Sequence, residues 1–368
     1  MAMFPVVEVS GGAFERGRIH GERARDRVER SLANYARLFA FNGMSWDEAQ
    51  RRGARYREVI GRFDASLLEE IDGIARGAGR PAEEILALNV RTEILPPAFL
   101  AKADTGECTA IAVSPAASTT GETLLAQNWD WVGSQREALI LLRVREGTGR
   151  DAAPACLTLT EAGMLAKIGL NAQGLGVCLN ILRSNFDGAH AGVPVHVLLR
   201  ALLKRSSVQD AVAFASKLAY GGSSNVLCAD RGGEAASLEF SPRGLRVLRG
   251  DGATLCHTNH FIHPETEGWQ AEIATNLSSV PRLERARHHA ASRAKHGIDD
   301  LKQLLRDESE GLLSICRKPD PSLPPEAQIE SVASVIMELA RGVMHVAPDE
   351  PSRAEYQPVA LAGESVPA

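Results

Sequence analysis

The sequence predicts an α+β layered domain, because strands come in blocks, helices come in blocks between them, and no regular βαβ alternation runs along the chain. Changes of hydrophobic period carry this reading. Up to about residue 100 the apolar positions recur at helical spacing; from Thr109 they alternate, and after Val193 helical spacing returns before a second alternating block. Two sheets stacked between helical layers fit that order.

The leader is the first of these blocks. Val28, Leu32, Tyr35, Leu38 and Phe39 line one face of a predicted helix, and Ser66 with Glu69 forms a capping box ahead of Leu67, Leu68, Ile71 and Ile74. Gly77 and Gly79 read as stop signals for that second helix. Short apolar strands follow at Thr109–Ser114, Thr123–Asn128, Ala138–Val144, Ala155–Glu161, Met164–Gly169 and Leu175–Asn180, separated by glycines and polar turns, as antiparallel strands are. Helices at Val193–Lys204 and Val208–Leu218 interrupt the strands and cover them. Strands resume at Asn225–Ala229, Ala235–Phe240, Leu245–Leu248 and Thr254–His257. Charged helices then span Pro281–Lys295 and Asp299–Arg306, and a hairpin joins Val332–Leu339 to Val343–Val346. Proline-rich Lys318–Gln328 reads as a loop, and residues 349–368 as a flexible tail.

Composition removes several classes of function. A formal charge of −5 and a pI near 6.1, with both signs mixed throughout, leave no basic stripe to track a phosphate backbone, so nucleic acid is not an expected partner. No segment approaches the roughly 18 apolar residues of a membrane span, and Met1–Gly11 lacks a basic start followed by an apolar run, so a soluble cytoplasmic protein is expected. Six cysteines at irregular intervals, with no CxxC pair, read as reduced thiols. The phosphate loop GxxxxGK[ST], the zinc helix HExxH, the elbow GxSxG and the dinucleotide motif GxGxxG are all missing from the sequence.

What remains is a set of polar residues at strand ends. Gly106-Glu107-Cys108-Thr109 opens the first alternating run, so Cys108 is a candidate nucleophile. It is also a candidate new N-terminus, since a cut before it would set an α-amine beside the sulfur as a base. Gln127-Asn128-Trp129-Asp130-Trp131 ends the next strand with an acid and two large aromatics, which can equally form a turn with core rings. His257-Thr258-Asn259-His260, with His263, could be read as a metal site, but partners at ligand spacing are missing and no metal is expected. Asn259 instead offers an amide donor to a developing oxyanion. Ser314-Ile315-Cys316-Arg317 carries an arginine that is either solvated or a fixed charge in a site.

Together and in order, these segments resemble the penicillin acyltransferase family (acyl-coenzyme A:isopenicillin N acyltransferase-like) of the N-terminal nucleophile (Ntn) hydrolases. The resemblance runs from Phe14-Glu15-Arg16-Gly17 to His20-Gly21, through Glu70-Ile71-Asp72-Gly73-Ile74-Ala75-Arg76-Gly77 and Leu88-Asn89-Val90-Arg91-Thr92-Glu93, to Cys108-Thr109. It continues in Gln127-Asn128-Trp129-Asp130, Thr160-Glu161-Ala162-Gly163, Gly192-Val193-Pro194, Leu238-Glu239-Phe240-Ser241-Pro242, His257-Thr258-Asn259-His260 and Ser314-Ile315-Cys316-Arg317.

The resemblance implies a four-layer αββα sandwich of two antiparallel sheets, made as one precursor that cuts itself between Glu107 and Cys108. Residues 1–107 would form a helical leader and 108–348 the catalytic domain, and the two fragments would stay associated. Cys108 would be the nucleophile, Asp130 the acid near the new amino terminus, Asn259 the oxyanion donor and Arg317 an orienting charge. Thr109, Trp129, Trp131 and Glu161 would contact substrate. The implied activity is amide hydrolysis or acyl transfer on a small N-acyl amine through a thioester. It needs no cofactor and admits acyl-coenzyme A as a co-substrate. One departure stands out: Glu107 occupies a position where the members closest to the family's fungal enzyme have glycine, so slower self-cleavage is expected. The alternative is an uncleaved, catalytically silent binding protein on the same fold.

Overall fold

The computed structural model describes residues 2–95, 108–146, 153–250, 252–271 and 278–362. The leader begins with a strand, β1 (Val6–Gly11), and continues through α1 (Ala13–Arg23), α2 (Arg25–Phe41), α3 (Trp46–Ala54), α4 (Tyr56–Phe63), α5 (Ala65–Ala78), α6 (Ala82–Asn89) and α7 (Arg91–Ile94). On α2 the expected stripe of Val28, Leu32, Tyr35, Leu38 and Phe39 is buried. The start of α5 differs from expectation: Asp64, not Ser66, is the N-cap, and its carboxylate accepts from the Ser66 amide at 3.0 Å. Asp64 has the extended backbone a cap requires, and Ser66 already lies inside the first turn.

Gly79 ends α5 in the left-handed conformation (φ 69°), whereas Gly77, also expected as a stop, lies inside the helix. Its role is packing. A Cβ added at Gly17 or Gly21 of α1, or at Gly73 or Gly77 of α5, would lie 2.0–2.1 Å from a carbonyl oxygen of the opposite helix. The two helices therefore touch backbone to backbone, and beside the contact Arg16 donates to Glu70 at 2.9 Å while Arg200 approaches it at 3.5 Å. Burial works against the Glu70 anion, but Arg200 and Arg16 together hold its carboxyl below the ordinary value.

The remaining chain supplies two sheets. Their strands are β2 (Cys108–Val113), β3 (Leu124–Val132), β4 (Leu139–Glu146), β5 (Cys156–Glu161), β6 (Ile168–Asn171) and β7 (Leu175–Ile181). After α8 (Val195–Leu202) and α9 (Val208–Ala215) come β8 (Ser224–Asp230), β9 (Ala235–Ser241), β10 (Gly244–Arg249) and β11 (Thr254–His257). Then follow α10 (Ser279–Ala291), α11 (Ile298–Leu305), β12 (Ile329–Glu338), β13 (Val343–Ala347) and β14 (Gln357–Ala360). One sheet has the order β1-β4-β5-β6-β7-β8-β9-β10, the other β11-β2-β3-β12-β13-β14.

Three departures from the sequence expectation concern strands. β1 pairs with β4 in parallel, whereas every other strand pair among the described residues is antiparallel. Its alternation, with Val7 and Val9 inward, is too short to stand out beside the helices that follow. The strand expected at Met164–Gly169 starts only at Ile168, because residues 162–165 form a turn gripped by leader side chains. Finally, the stretch assigned to a flexible tail contains β14, which pairs Gln357–Ala360 with β13 as the sheet edge.

Alternation along β2 divides the core. Cys108, Ala110 and Ala112 join the large core between the sheets, while Ile111 and Val113 pack with Leu283, Ala286, Leu301, Leu304 and Leu305 of α10 and α11. Val28, Ile74, Ile85 and Leu198, from the leader and α8, extend the large core on the other side of the eight-stranded sheet. The layers are therefore helix, sheet, sheet, helix.

Candidate active site

Cys108 is the first residue of β2, an inner strand flanked by β11 and β3, and only 2% of its surface is exposed. Its amide donates to Asn259 Oδ1 at 2.8 Å. Its carbonyl accepts from Arg282 at 2.6 Å and from Asn180 Nδ2 at 3.2 Å, and Asn225 in turn donates to Asn180 Oδ1 at 3.1 Å. Both polar groups of the Cys108 backbone are thus held by side chains from other elements.

Register defines the rest. Cys108 pairs with Trp129 and Thr109 with Asn128, so Asp130 on β3 is the residue next to the partner of Cys108, one step beyond the head of β2. Cys108 and Trp129 face the inter-sheet core; Asp130, next along β3, turns toward the α10 and α11 side. Thiol and carboxylate therefore occupy opposite faces of the sheet at the head of β2. Asp130 Oδ1 accepts from Ser331 Oγ at 2.6 Å, and Ser331 Oγ accepts from the Arg317 amide at 2.9 Å. The Arg317 guanidinium donates to Ser278 Oγ at 2.9 Å. Asn128 donates to the carbonyls of Leu305 and Ile315 at 2.8 and 3.0 Å, which fastens the Arg317 segment to β3.

Asn259 is carried by the loop after β11, and that loop hangs on a buried carboxylate. Glu239 accepts from His257 Nε2 at 2.8 Å, from the Ile262 amide at 2.8 Å and from the His263 amide at 3.2 Å. Burial opposes the charged form of Glu239, but His257 and these amides hold its carboxyl below the ordinary value. His260 bonds Ser279 Oγ at 2.7 Å, and burial, with His257 and Arg282 nearby, takes its pKa down to about 4. The histidine cluster is a scaffold for Asn259; among the described residues no group of three or more His, Cys, Asp or Glu side chains could hold a metal ion. The Asn259 amide oxygen faces Cys108, and its amide nitrogen donates to the Ile181 carbonyl at 3.0 Å.

The four expected substrate contacts separate into two groups. Thr109 Oγ1 accepts from Arg282 at 3.0 Å, and Trp129 carries the Lys167 ammonium 4.0 Å from its ring centre, so both adjoin Cys108. Trp131 and Glu161 instead meet the leader. Trp131 Nε1 donates to Tyr35 Oη at 3.1 Å with Arg91 4.7 Å above its ring, and Glu161 accepts from Tyr35 Oη and pairs with Arg91 at 3.3 Å. Glu107 lies outside the described residues.

Arg282 and Asn180 are the residues bonded to Cys108 that the sequence did not single out. Arg282 sits on α10 beside Leu283 and Ala286, on the stripe that faces the core, where it is fully buried.

A family model described as acyl-coenzyme A:6-aminopenicillanic acid acyl-transferase matches residues 118–351. The chain belongs to this family. The acyl-coenzyme A:6-aminopenicillanic-acid-acyltransferase 40 kDa form of Emericella nidulans is 29% identical over 327 residues, which cover 84% of each chain. Two variants of the conjugated bile acid hydrolase of Clostridium perfringens superpose with a TM-score of 0.52 at 12% identity, over 70% of this chain and 93% and 94% of theirs. That likeness establishes the Ntn-hydrolase sandwich as the fold. Membership of the acyl-transferase family makes the chain an enzyme of the Ntn acyltransferase and amide-hydrolase type.

Proposed function

We propose that the protein cuts itself before Cys108 and then acts as an N-terminal-cysteine amide hydrolase or acyltransferase on a small N-acyl amine. The observation that carries this reading is the head of β2: the Cys108 nitrogen rests on Asn259, its carbonyl on Arg282 and Asn180, and Asp130 adjoins Trp129, the partner of Cys108 on β3.

In the precursor the Cys108 thiol attacks the Glu107 carbonyl carbon. The C–N bond breaks as the Cys108 nitrogen takes up the thiol proton, and water hydrolyses the resulting thioester to a Glu107 carboxylate and a free thiol. The released α-amine, whose ordinary pKa is about 7.7–8.0, then accepts the thiol proton for each turnover. The thiolate adds to a substrate carbonyl, and the departing amine takes the proton from the ammonium, leaving a thioester on Cys108. Water regenerates the thiol in a hydrolase, and a second amine does so in an acyltransferase. Asn259 holds the α-nitrogen by its oxygen and offers an amide N–H to the oxyanion, a type of donor whose removal costs about 3–4 kcal/mol of barrier lowering. Asp130 orients the amine around the strand end, Arg317 fixes the charge balance, and Thr109 with Trp129 adjoins the acyl site. The names of the relatives, one an acyl-coenzyme A-dependent acyltransferase, support acyl-coenzyme A as a candidate acyl donor.

Leader contacts favour a cut enzyme that stays whole. β1 is hydrogen-bonded to β4, His20 accepts from the Gly163 amide at 3.1 Å, and Asn89 brackets the turn by donating to Gly163 O at 2.8 Å and accepting from Leu165 N at 3.0 Å. Trp131 and Glu161, bonded to Tyr35 and stacked on or paired with Arg91, belong to this joint. Intact-mass measurement of the purified protein tests the reading. Two fragments, residues 1–107 and 108–368, with an activated ester acylating the larger, are expected; a single chain whose Cys108 takes no acyl group would refute it.

A further inference from the structure

The reaction just described uses Arg282 only to hold the Cys108 carbonyl, yet its guanidinium reaches further around the nucleophile from α10. One terminal nitrogen donates to the Cys108 carbonyl at 2.6 Å and to Thr109 Oγ1 at 3.0 Å, the other to Asn259 Oδ1 at 3.0 Å, and Nε to Ser278 Oγ at 3.4 Å. Three segments of chain thus converge on one planar fork, which a lysine could not reproduce. The same Asn259 oxygen accepts from the Cys108 nitrogen, so the Asn259 amide is fixed with oxygen toward Cys108 and nitrogen toward Ile181. Because the two donors share that oxygen, the guanidinium and the Cys108 nitrogen lie within about 6 Å, close enough for a like charge to disfavour protonation.

We infer that Arg282 is a positioning residue that also acts through its charge. It orients Asn259 and keeps the α-amine of processed Cys108 neutral, and hence able to accept the thiol proton, at neutral pH. This rests on the self-processing reading above. A free α-amine is largely protonated at pH 7, and a protonated amine is no base. The other charged and titratable groups around the site divide by direction. Arg317 meets Arg282 through Ser278 and acts in the same sense. Asp130 on β3 pulls the amine toward protonation. Lys167 lies behind Trp129, and the Glu239–His257 pair lies behind Asn259. The Cys178 and Cys228 thiols on β7 and β8 are kept protonated by burial, Cys178 also by Cys108, and so contribute no charge.

The test compares Arg282→Gln with Arg282→Lys, using 4-nitrophenyl acetate to acylate Cys108 and intact mass to count fragments. The acidic limb of the acylation rate should move up by about one pH unit in Arg282→Gln. Arg282→Lys should leave the limb near its wild-type position while lowering the rate about tenfold or more, since charge is kept and the fork is lost. A processed, folded Arg282→Gln protein with an unmoved limb overturns the inference alone, whereas an uncut wild-type chain overturns the self-processing reading with it. Should Arg282→Gln fail to fold, the wild-type amine is titrated directly by the Cα resonance of ¹³C-labelled Cys108. Titration clearly below the ordinary range of about 7.7–8.0 supports the inference, and titration at or above that range refutes it.

Discussion

The α1–α5 joint and the head of β2 are both built from close contacts, but of opposite kinds. At the joint, Gly17, Gly21, Gly73 and Gly77 bring backbones together by having no side chains, and a single added carbon would meet an oxygen at about 2 Å. At the head of β2, Arg282, Asn259 and Asn180 hold the backbone by side chains alone, each bonded to more than one partner. The first region supplies shape, the second directed charge. A motif can therefore mark packing as firmly as chemistry, and only the geometry says which.

The sharpest way to test that contrast is Cys108→Ala. It should abolish acylation and leave one chain by intact mass, while stability changes by only about 1 kcal/mol. A collapse of stability in this variant would mean that the head of β2 is structural after all. Gly73→Ala should behave in the reverse sense. Driving α1 and α5 apart should cost about 3 kcal/mol or more, read as a fall in denaturation midpoint, with normal acylation in the fraction that folds.

His20 on α1 gives the joint a pH signature. Burial takes its pKa down to about 4, against some opposition from Glu70, while the unfolded chain titrates near 6.5. Between these values the unfolded state binds the proton and the folded state does not, so stability is full above pH 6.5, falls as pH drops toward 4 and changes no further below it. The loss reaches roughly 3 kcal/mol, and His20→Gln should flatten this part of the denaturation profile. Asp130→Asn, the mildest of these changes to the fold, should slow acylation on the order of 10²-fold while the midpoint stays within a degree or two. An equal fall in both would erase the distinction between the two regions.

Sequence reasoning reached the site where a residue's own neighbours in the chain announced it. Cys108, Asp130, Asn259 and Arg317 stand at strand ends or in polar runs, and the family resemblance gave them roles; the changes of period fitted two sheets between helices, and the resemblance implied the four layers. Arg282 and Asn180 were silent because their meaning lies across space: one interrupts an apolar helical stripe, the other sits within β7 and reaches β2 in the facing sheet. Asp64 as the cap of α5 and β14 as a sheet edge were missed for a related reason. Four-residue alternation is too short to be told from loop, and a cap is set by backbone conformation that neighbouring serines and aspartates leave open.

The parallel pairing of β1 with β4 has one last consequence. A cut before Cys108 would remove the covalent tether between two strands of the same sheet, and regaining that sheet from the denatured state would become a bimolecular event. The precursor should refold at a rate independent of protein concentration, and the mature enzyme at a rate that falls on dilution. Processing would then convert a fold indifferent to concentration into one whose endurance on dilution depends on how slowly β1 lets go.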